Sequence, residues 1–343
     1  MAKKYTVLET WIVNETKPTD ADSAVQSYDR MAKQGGGELP VIDVEQNLRN
    51  EKHFLDEAQI RDFVAHMAGA QDVLDIGPGD GWPLLRIAPF FKTVTGIDAS
   101  AKRVEVCRAN AERLGIANVT LKQTSAVKME FGDNSFDGVV AACSFEQTPD
   151  AYQAVREAFR VLKPGGRLRV WFESFDRREK GITEKLFLTE GEDFLGYHYM
   201  LQHNSPPWER NYLVKFNPTP EVKEQFTRLA DLIGRLGPNP SQNPELGLQF
   251  MERNKEAIAG STWYELEHFT SASMKETLEE AGFVNVRVAF AASTLARTVW
   301  QRVKDSELTD VQTKAVLQGV ADMAIRLDAP VTSGEPVAAL KPN

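Results

Sequence analysis

The chain has 343 residues, 42% hydrophobic and 26% charged, a globular composition large enough for one big domain or a domain with additions. Its formal net charge of -9 argues against a surface built to neutralise nucleic-acid phosphates. Two cysteines give no disulfide framework, no apolar run reaches the ~20 residues of a bilayer span, and the opening Met-Ala-Lys-Lys-Tyr has no apolar signal core, so a cytoplasmic protein is expected.

In chain order, Tyr5 to Val13 reads as a strand or extended arm, and Ala24 to Lys33 as a short helix before the flexible break Gly35-Gly36-Gly37. Asp56 to Met67 carries Ile60, Phe63, Val64 and Met67 at helical spacing, with Gly69 as its stop. From Val73 strands and helices alternate. Val73 to Ile76 is a buried strand running into the loop Gly77-Pro78-Gly79-Asp80-Gly81, and the apolar stretch Trp82 to Phe90 suits a helix. The next strand is Lys92 to Asp98. It is followed by the helix Ala101 to Leu114 and the strands Val119 to Lys122 and Phe136 to Ala142. The helix Asp150 to Leu162 and the strand Arg167 to Phe172 complete the run. Such alternation predicts an α/β fold, a parallel sheet covered by helices on both faces.

The rhythm breaks over residues 174–262, rich in aromatics and too long for a connection, which read as a lid or insert with one clear helix, Glu221 to Leu236. It resumes with the helix Ser271 to Ala281 and the strands Phe283 to Phe290 and Thr294 to Val303, close enough for a hairpin. Leu308 to Leu327 is a helix with Val311, Ala315, Val316, Val320 and Met323 on one face, a packed stripe that could also serve a homodimer, and the Pro- and Ala-rich tail from Asp328 reads as loose. The expected divisions are a cover segment 1–55, a cofactor-binding core 56–173, an insert 174–262, the last helix and strands of the core 263–305, and a C-terminal helix and tail 306–343.

In such sheets ligands bind at the C-terminal ends of the strands, where Gly77, Gly79, Asp98, Cys143 and Ser144 fall. Asp98, ending the second strand, suits a ribose diol, because a carboxylate accepts two hydroxyl hydrogen bonds. The glycine pattern is not the dinucleotide fingerprint, since Trp82 occupies its last position, and no Gly-Lys-Ser/Thr follows for a phosphate loop. Asp75, Asp80 and Asp98 together disfavour a pyrophosphate and favour a cationic or neutral ligand.

Four motifs in order then resemble one family: Asp75-Ile76-Gly77-Pro78-Gly79-Asp80-Gly81, Gly96-Ile97-Asp98, Asn134-Ser135-Phe136-Asp137, and Val161-Leu162-Lys163-Pro164-Gly165-Gly166. They look like the class I S-adenosylmethionine-dependent methyltransferases, in the small-molecule branch similar to the quinone-biosynthesis enzymes. The resemblance implies a doubly wound, Rossmann-like, mostly parallel seven-stranded sheet with an N-terminal cover and a large insert after the fifth strand. It also implies S-adenosylmethionine as cofactor and S-adenosylhomocysteine as product. Asp75 and the loop with Gly77, Pro78 and Gly79 would hold the methionine end, and Asp98 the ribose hydroxyls. Ala99 would lie beside the adenine, Ser125 and Ala126 at its edge, and Cys143 and Ser144 along the sulfonium. Tyr28 would reach the cofactor carboxylate from the cover helix.

Ser125 stands where relatives often carry an acid, and Gln147 where they often carry a histidine, which removes one usual candidate base. The insert offers Arg177, Arg178, Tyr197, His198, Tyr199, His203, Trp208, Arg210 and Tyr212 for an acceptor. The catalytic candidates are Tyr28, His198, His203, Trp208 and Arg210. Their mixture favours the S or O atom of a small polar acid, the alternatives being a quinol or aromatic C- or O-methyltransferase and a non-catalytic cofactor-binding protein. No metal motif is present, and no nucleic-acid or membrane partner is expected.

Overall fold

The computed structural model describes residues 5–23, 25–26, 47–288, 292–327 and 336–343. Tyr28 and most of the expected cover helix lie outside them. In chain order the first elements are α1 (Val7–Thr16), β1 (Thr19–Asp20), α2 (Glu51–His66), β2 (Asp72–Ile76), α3 (Leu84–Ile87), β3 (Thr93–Asp98), α4 (Ala101–Arg113) and β4 (Val119–Gln123). There follow β5 (Phe136–Ala142), α5 (Ala151–Val161), β6 (Leu162–Trp171), β7 (Ile182–Glu190), β8 (Leu195–Asn204), β9 (Pro207–Phe216) and α6 (Pro220–Leu236). The last are α7 (Leu248–Arg253), β10 (Ile258–Glu267), α8 (Ser271–Glu280), β11 (Val284–Val288), α9 (Ala292–Val303), α10 (Asp310–Leu327) and β12 (Pro336–Leu340). They form two compact units, Met1–Glu38 with Arg178–His268, and Leu39–Arg177 with Phe269–Asn343.

The second unit holds the expected seven-stranded sheet, in the order β11-β12-β6-β5-β2-β3-β4. β2 through β6 pair in parallel. β2 is central, flanked by β3 and β5, so its two faces feed two cores: Leu74 and Ile76 enter one, Val73 the other. Gly138 of β5 lets α2 lie close, since a Cβ there would stand 2.5 Å from Met67 Sδ. α2 begins five residues before the expected Asp56, because the Asn50 side chain accepts from the Lys52 and His53 amides and caps it there.

Two expectations at this sheet's edge are overturned. Thr294 to Val303 is not a strand but most of α9, whose buried Ala292, Ala296 and Trp300 recur every four residues. Its β-branched residues suggested a strand, and the packing of Trp300 on Phe54, with ring centroids 5.2 Å apart, decides otherwise. The seventh strand is β12, inside the segment expected to be loose. It runs antiparallel to both β11 and β6, with Val337 opposite Val170. Pro336 is tolerated as its first residue, and Val337, Ala338 and Ala339 are buried. On α10 the buried stripe is Leu317, Val320, Ala321 and Ala324, whereas Val311, Val316 and Met323 are exposed. The expected face was therefore turned relative to the real one.

In the first unit the region expected as a lid with one helix is largely a sheet, ordered β1-β10-β9-β8-β7, with antiparallel pairing throughout β7 to β10. One face packs an aromatic core of Tyr197, Tyr199, Trp208, Tyr212 and Phe216 against Leu8 and Ile12 of α1, Phe226 of α6 and Phe250 of α7. The N-terminal arm is helical rather than extended. Thr6 and Glu9 form a reciprocal capping box, and Leu8 and Ile12 lie on one face.

Candidate functional site

Backbone geometry builds the site at the carboxyl ends of β2, β3 and β5. Gly77 continues β2's pairing by donating to the Ile97 carbonyl at 2.8 Å, then turns at φ 72°. Gly79 follows at φ 58°, where a side chain would be strained. A Cβ on Gly77 would stand 2.6 Å from the Ser144 Cβ, so the loops after β2 and β5 touch here and only glycine fits. Cys143 takes φ 51° and donates its amide to the Trp171 carbonyl at 2.6 Å, which turns the chain into Ser144. The cysteine is exposed, and the Ser144 hydroxyl is buried without a hydrogen-bond partner.

Asp98 is held at the end of β3. One carboxylate oxygen accepts from the Ser100 amide at 2.9 Å, the other from the Gly79 amide at 3.3 Å. Each oxygen keeps further acceptor capacity, as a diol requires. Ala99 and Ser125 flank it through the pairing of Asp98 with Gln123. Gln123 donates to the Ala99 carbonyl at 3.4 Å, and the Ser125 hydroxyl accepts from the Val127 amide at 3.4 Å. Ala126 is buried in the core beneath.

Asp75 is fully buried, and neither of its oxygens meets a donor at hydrogen-bonding geometry. Burial raises its pKa well above the usual range, the Asp98 charge adds to this, and the Leu84 backbone opposes it. The negative field reaches Cys107, whose thiol is pushed up to about 12 by burial and by Asp75, Asp80 and Asp98. Asp80 is also raised by burial, with Arg103 opposing. Arg103 was not anticipated from the sequence. It sits one turn into α4 and leans over the loop, its guanidinium 3.5 Å from where a Gly79 Cβ would be. Its only signal is its place three residues after the Ser100 cap.

The catalytic candidates of the insert are divided by strand alternation. His203, Trp208 and Arg210 point to the aromatic core side. The His203 ring stacks on Trp208 at 5.2 Å, and Arg210 lies 4.7 Å over the same indole. Arg210 is already engaged by Glu9 at 3.0 Å and Glu265 at 2.9 Å, and Tyr212 also donates to Glu9. This arrangement builds the unit's core and does not present a free cation to an acceptor. Arg177 falls in the other unit.

His198 lies on the opposite face, 2.8 Å from the Thr189 hydroxyl. That face carries a polar network missed in the sequence. Glu209 accepts from Gln202 at 3.0 Å and Asn211 at 2.7 Å, His268 Nε2 lies 3.4 Å from Glu209, and Arg178 donates to Gln202 at 2.6 Å. Met200 and Tyr264 complete the face, and none of these residues belongs to the aromatic core. The signal was partial: Tyr197, Tyr199 and Leu201 alternate with His198 and Gln202, but Met200 stands between them as an apolar residue on the polar face. Among the described residues no group of histidines, cysteines and acids could hold a metal, and no helix is long and apolar enough to cross a membrane.

Residues 74–170 match the family model described as a methyltransferase domain. The uncharacterized methyltransferase YcgJ of Bacillus subtilis is 35% identical over 121 residues, 35% of this chain and 48% of that protein. The arsenite methyltransferase of Aquipseudomonas alcaligenes is 36% identical over 31% of this chain and 34% of its own length. The demethylmenaquinone methyltransferase of Tropheryma whipplei is 33% identical over 39% and 56%. The chain thus spans about a third to a half of the curated relatives it matches. Among solved structures, the [4+2]-cyclase SpnF covers 96% of this chain and 98% of its own at 19% identity and a TM-score of 0.47, a likeness that bears on neither substrate nor reaction.

Proposed function

We propose, for a chain whose residues 74–170 are a methyltransferase domain, that it moves a methyl group from S-adenosylmethionine to a small-molecule acceptor. The observation that carries this reading is Asp98, its carboxylate fixed by the Gly79 and Ser100 amides beside a glycine turn with no room for a side chain. The residues fit the cofactor. Asp98 would take the ribose hydroxyls, Ala99, Ser125 and Ala126 the adenine, Asp75 and the Gly77–Gly79 turn the methionine end, and Cys143 and Ser144, the latter with its unpartnered buried hydroxyl, would line the sulfonium. The cofactor carries one more positive than negative charge, which suits a site bearing Asp75, Asp80 and Asp98 against Arg103. Bound there, it supplies an electrophilic methyl on a sulfonium leaving group.

The protein's share is alignment, exclusion of water and charge. The turn at Gly77 and Gly79 lets the ligand approach the backbone, and Asp98, joined by Asp75 where it is ionised, offsets its positive charge. We assign acceptor recognition to the polar face of the first unit. Gln202, Asn211 and Glu209 offer fixed hydrogen bonds to a polar acceptor, and His268 beside Glu209 offers a place for the proton of a hydroxyl. The S or O atom of a small polar acid remains the preferred target, with Arg178, which donates to Gln202 at 2.6 Å, as the cation of that face. Tyr28 stays a proposed cofactor contact, and His198 a proposed member of the acceptor face. A homodimer and a cytoplasmic location stay proposals on the sequence reading alone.

Calorimetry with S-adenosylmethionine, followed by mass-spectrometric methyl-transfer assays on thioether acids, hydroxy acids and quinols, tests the reading. Saturable binding with transfer to an acid supports it. Turnover only with quinols overturns the acceptor preference, and binding without transfer to any cell extract favours a non-catalytic binder.

A further inference from the structure

The face of α4 turned to the glycine loop carries Arg103, Cys107 and Asn110 at helical spacing. Arg103 leans over Gly79, and the Cys107 thiol feels the charges of Asp75, Asp80 and Asp98. Asn110 lies furthest along the helix and is 3% exposed. Its Nδ2 donates to the Asp80 carbonyl at 2.8 Å, across 30 residues of chain. Asparagine is a weak helix former, so its place inside α4 calls for a reason.

The orientation of its amide follows from its two partners. Arg113 can only donate, and its Nη2 lies 3.1 Å from Asn110 Oδ1. The Asp80 carbonyl can only accept, so Nδ2 faces it. This bond holds one peptide plane. Pro78 to Gly81 is a four-residue turn, closed by the Gly81 amide donating to the Pro78 carbonyl at 2.8 Å. The Gly81 amide and the Asp80 carbonyl belong to the same trans peptide and point in opposite directions. The plane is therefore gripped from both sides, by Pro78 of the turn and by Asn110 of the helix. The Gly79 amide ties the same turn to Asp98 at 3.3 Å, and the Ser100 amide ties the start of α4 to Asp98 at 2.9 Å. Turn, Asp98 and helix form one closed circuit of hydrogen bonds.

We propose that Asn110 is a positioning residue for the donor: it sets the Asp80–Gly81 peptide, and with it the turn that receives the amino-acid end of S-adenosylmethionine. The inference rests on the donor reading above. Asn110 acts through the loop. Without its amide the plane is held from the Pro78 side alone, while Gly79 stays on Asp98. The loss is therefore selective: grip on the amino-acid end weakens, and grip on the ribose through Asp98 is kept.

The test is calorimetry of the whole protein with S-adenosylhomocysteine and with 5′-methylthioadenosine, which keeps adenine, ribose and sulfur but lacks the amino-acid end. Asn110→Asp keeps the size and the acceptor for Arg113 but loses the donor, and Asn110→Ala loses both. Each is expected to weaken S-adenosylhomocysteine about ten-fold or more, because a buried carbonyl left without its donor costs on the order of a factor of ten. Each should weaken 5′-methylthioadenosine by no more than about two-fold, since Asp98 is untouched, with melting curves confirming the fold. Hydrogen exchange on the unaltered protein gives an arm independent of any variant: S-adenosylhomocysteine should slow the amides of residues 79–82 more than 5′-methylthioadenosine does. Unchanged S-adenosylhomocysteine affinity in both variants, equal losses for the two ligands, or equal slowing of residues 79–82 by both would each overturn the assignment and leave the donor reading standing. An unaltered protein that binds neither ligand would overturn the donor reading itself, and this inference with it.

Discussion

Asp98 and Gly77 concentrate what single residues contribute. Asp98→Ala removes the proposed acceptor for the ribose diol and frees the Gly79 and Ser100 amides. We expect cofactor affinity to fall by about 10- to 100-fold, since hydrogen bonds to a charged group contribute about 1.5–3 kcal/mol; titration calorimetry reads this directly. Gly77→Ala forces a Cβ to 2.6 Å from Ser144 at a positive φ, so the turn must move. Binding should weaken more than overall stability, with Kd and the melting temperature measured on the same sample. Asp75 sets a pH dependence. Its pKa is raised in the folded protein, so the fold holds this proton more tightly than the unfolded chain does. Its contribution to stability is complete below the unfolded pKa and is lost as pH rises through the folded one. A cationic ligand prefers the ionised carboxylate, so its affinity should rise over that same window. Calorimetry across pH should show the rise in the native protein and a flatter profile in Asp75→Asn.

Whole elements show where the sequence was legible and where it was not. β2 and β5 were readable because burial on both faces leaves nearly continuous apolar runs, whereas the edge strand β4, with no buried residue, was readable from its place in the alternation of strands and helices. The outer strands were harder. Ala338 and Ala339 carry little β-propensity, and β12 owes its pairing to the slot between β11 and β6 rather than to its own residues. Thr294 to Val303 showed the reverse error, since its β-branched residues outweighed in reading the four-residue spacing of Ala292, Ala296 and Trp300. Trp300→Ala should accordingly unfold like a core truncation, with a loss of about 3–5 kcal/mol in urea denaturation. Removing it opens the cluster that ties α9 to Phe54 of α2 and Leu317 of α10. Had Trp300 lain on an exposed strand, the change would be nearly silent.

For the molecule as a whole, donor and acceptor duties fall in separate compact units by this reading, and that separation can be measured. Gln202→Ala with Asn211→Ala strips two donors from Glu209 on the polar sheet face. The acceptor KM should rise about ten-fold or more, while the cofactor Kd stays within about two-fold of the wild type, because neither side chain is among those proposed to hold the cofactor. An equal loss in both constants would mean that the face is structural. The first unit was the less legible half. Its ten-residue strand β9 sets Trp208, Tyr212 and Phe216 on one face and Glu209 and Asn211 on the other, and seeing the aromatics as one cluster hides the face that the polar residues share. Arg210 illustrates the point: its composition suggested an acceptor ligand, and only the pairing with Glu9 reveals a buried ion pair beneath the aromatic core.

The position of β12 has a bearing on how the protein is assembled in time. The sheet's slot between β6 and β11 is bounded by Trp171 and Val288, yet the strand that fills it begins at Pro336, after α9 and α10. Until that segment has emerged, β6 and β11 each present an unpaired edge, open to wrong partners. Closing the gap also brings together residues far apart in the chain, a slow step in folding. Ordering of the donor-binding half should therefore wait on its latest strand, and pulse-labelled hydrogen exchange during refolding should show β2, β3 and β5 protected before β6 and β11.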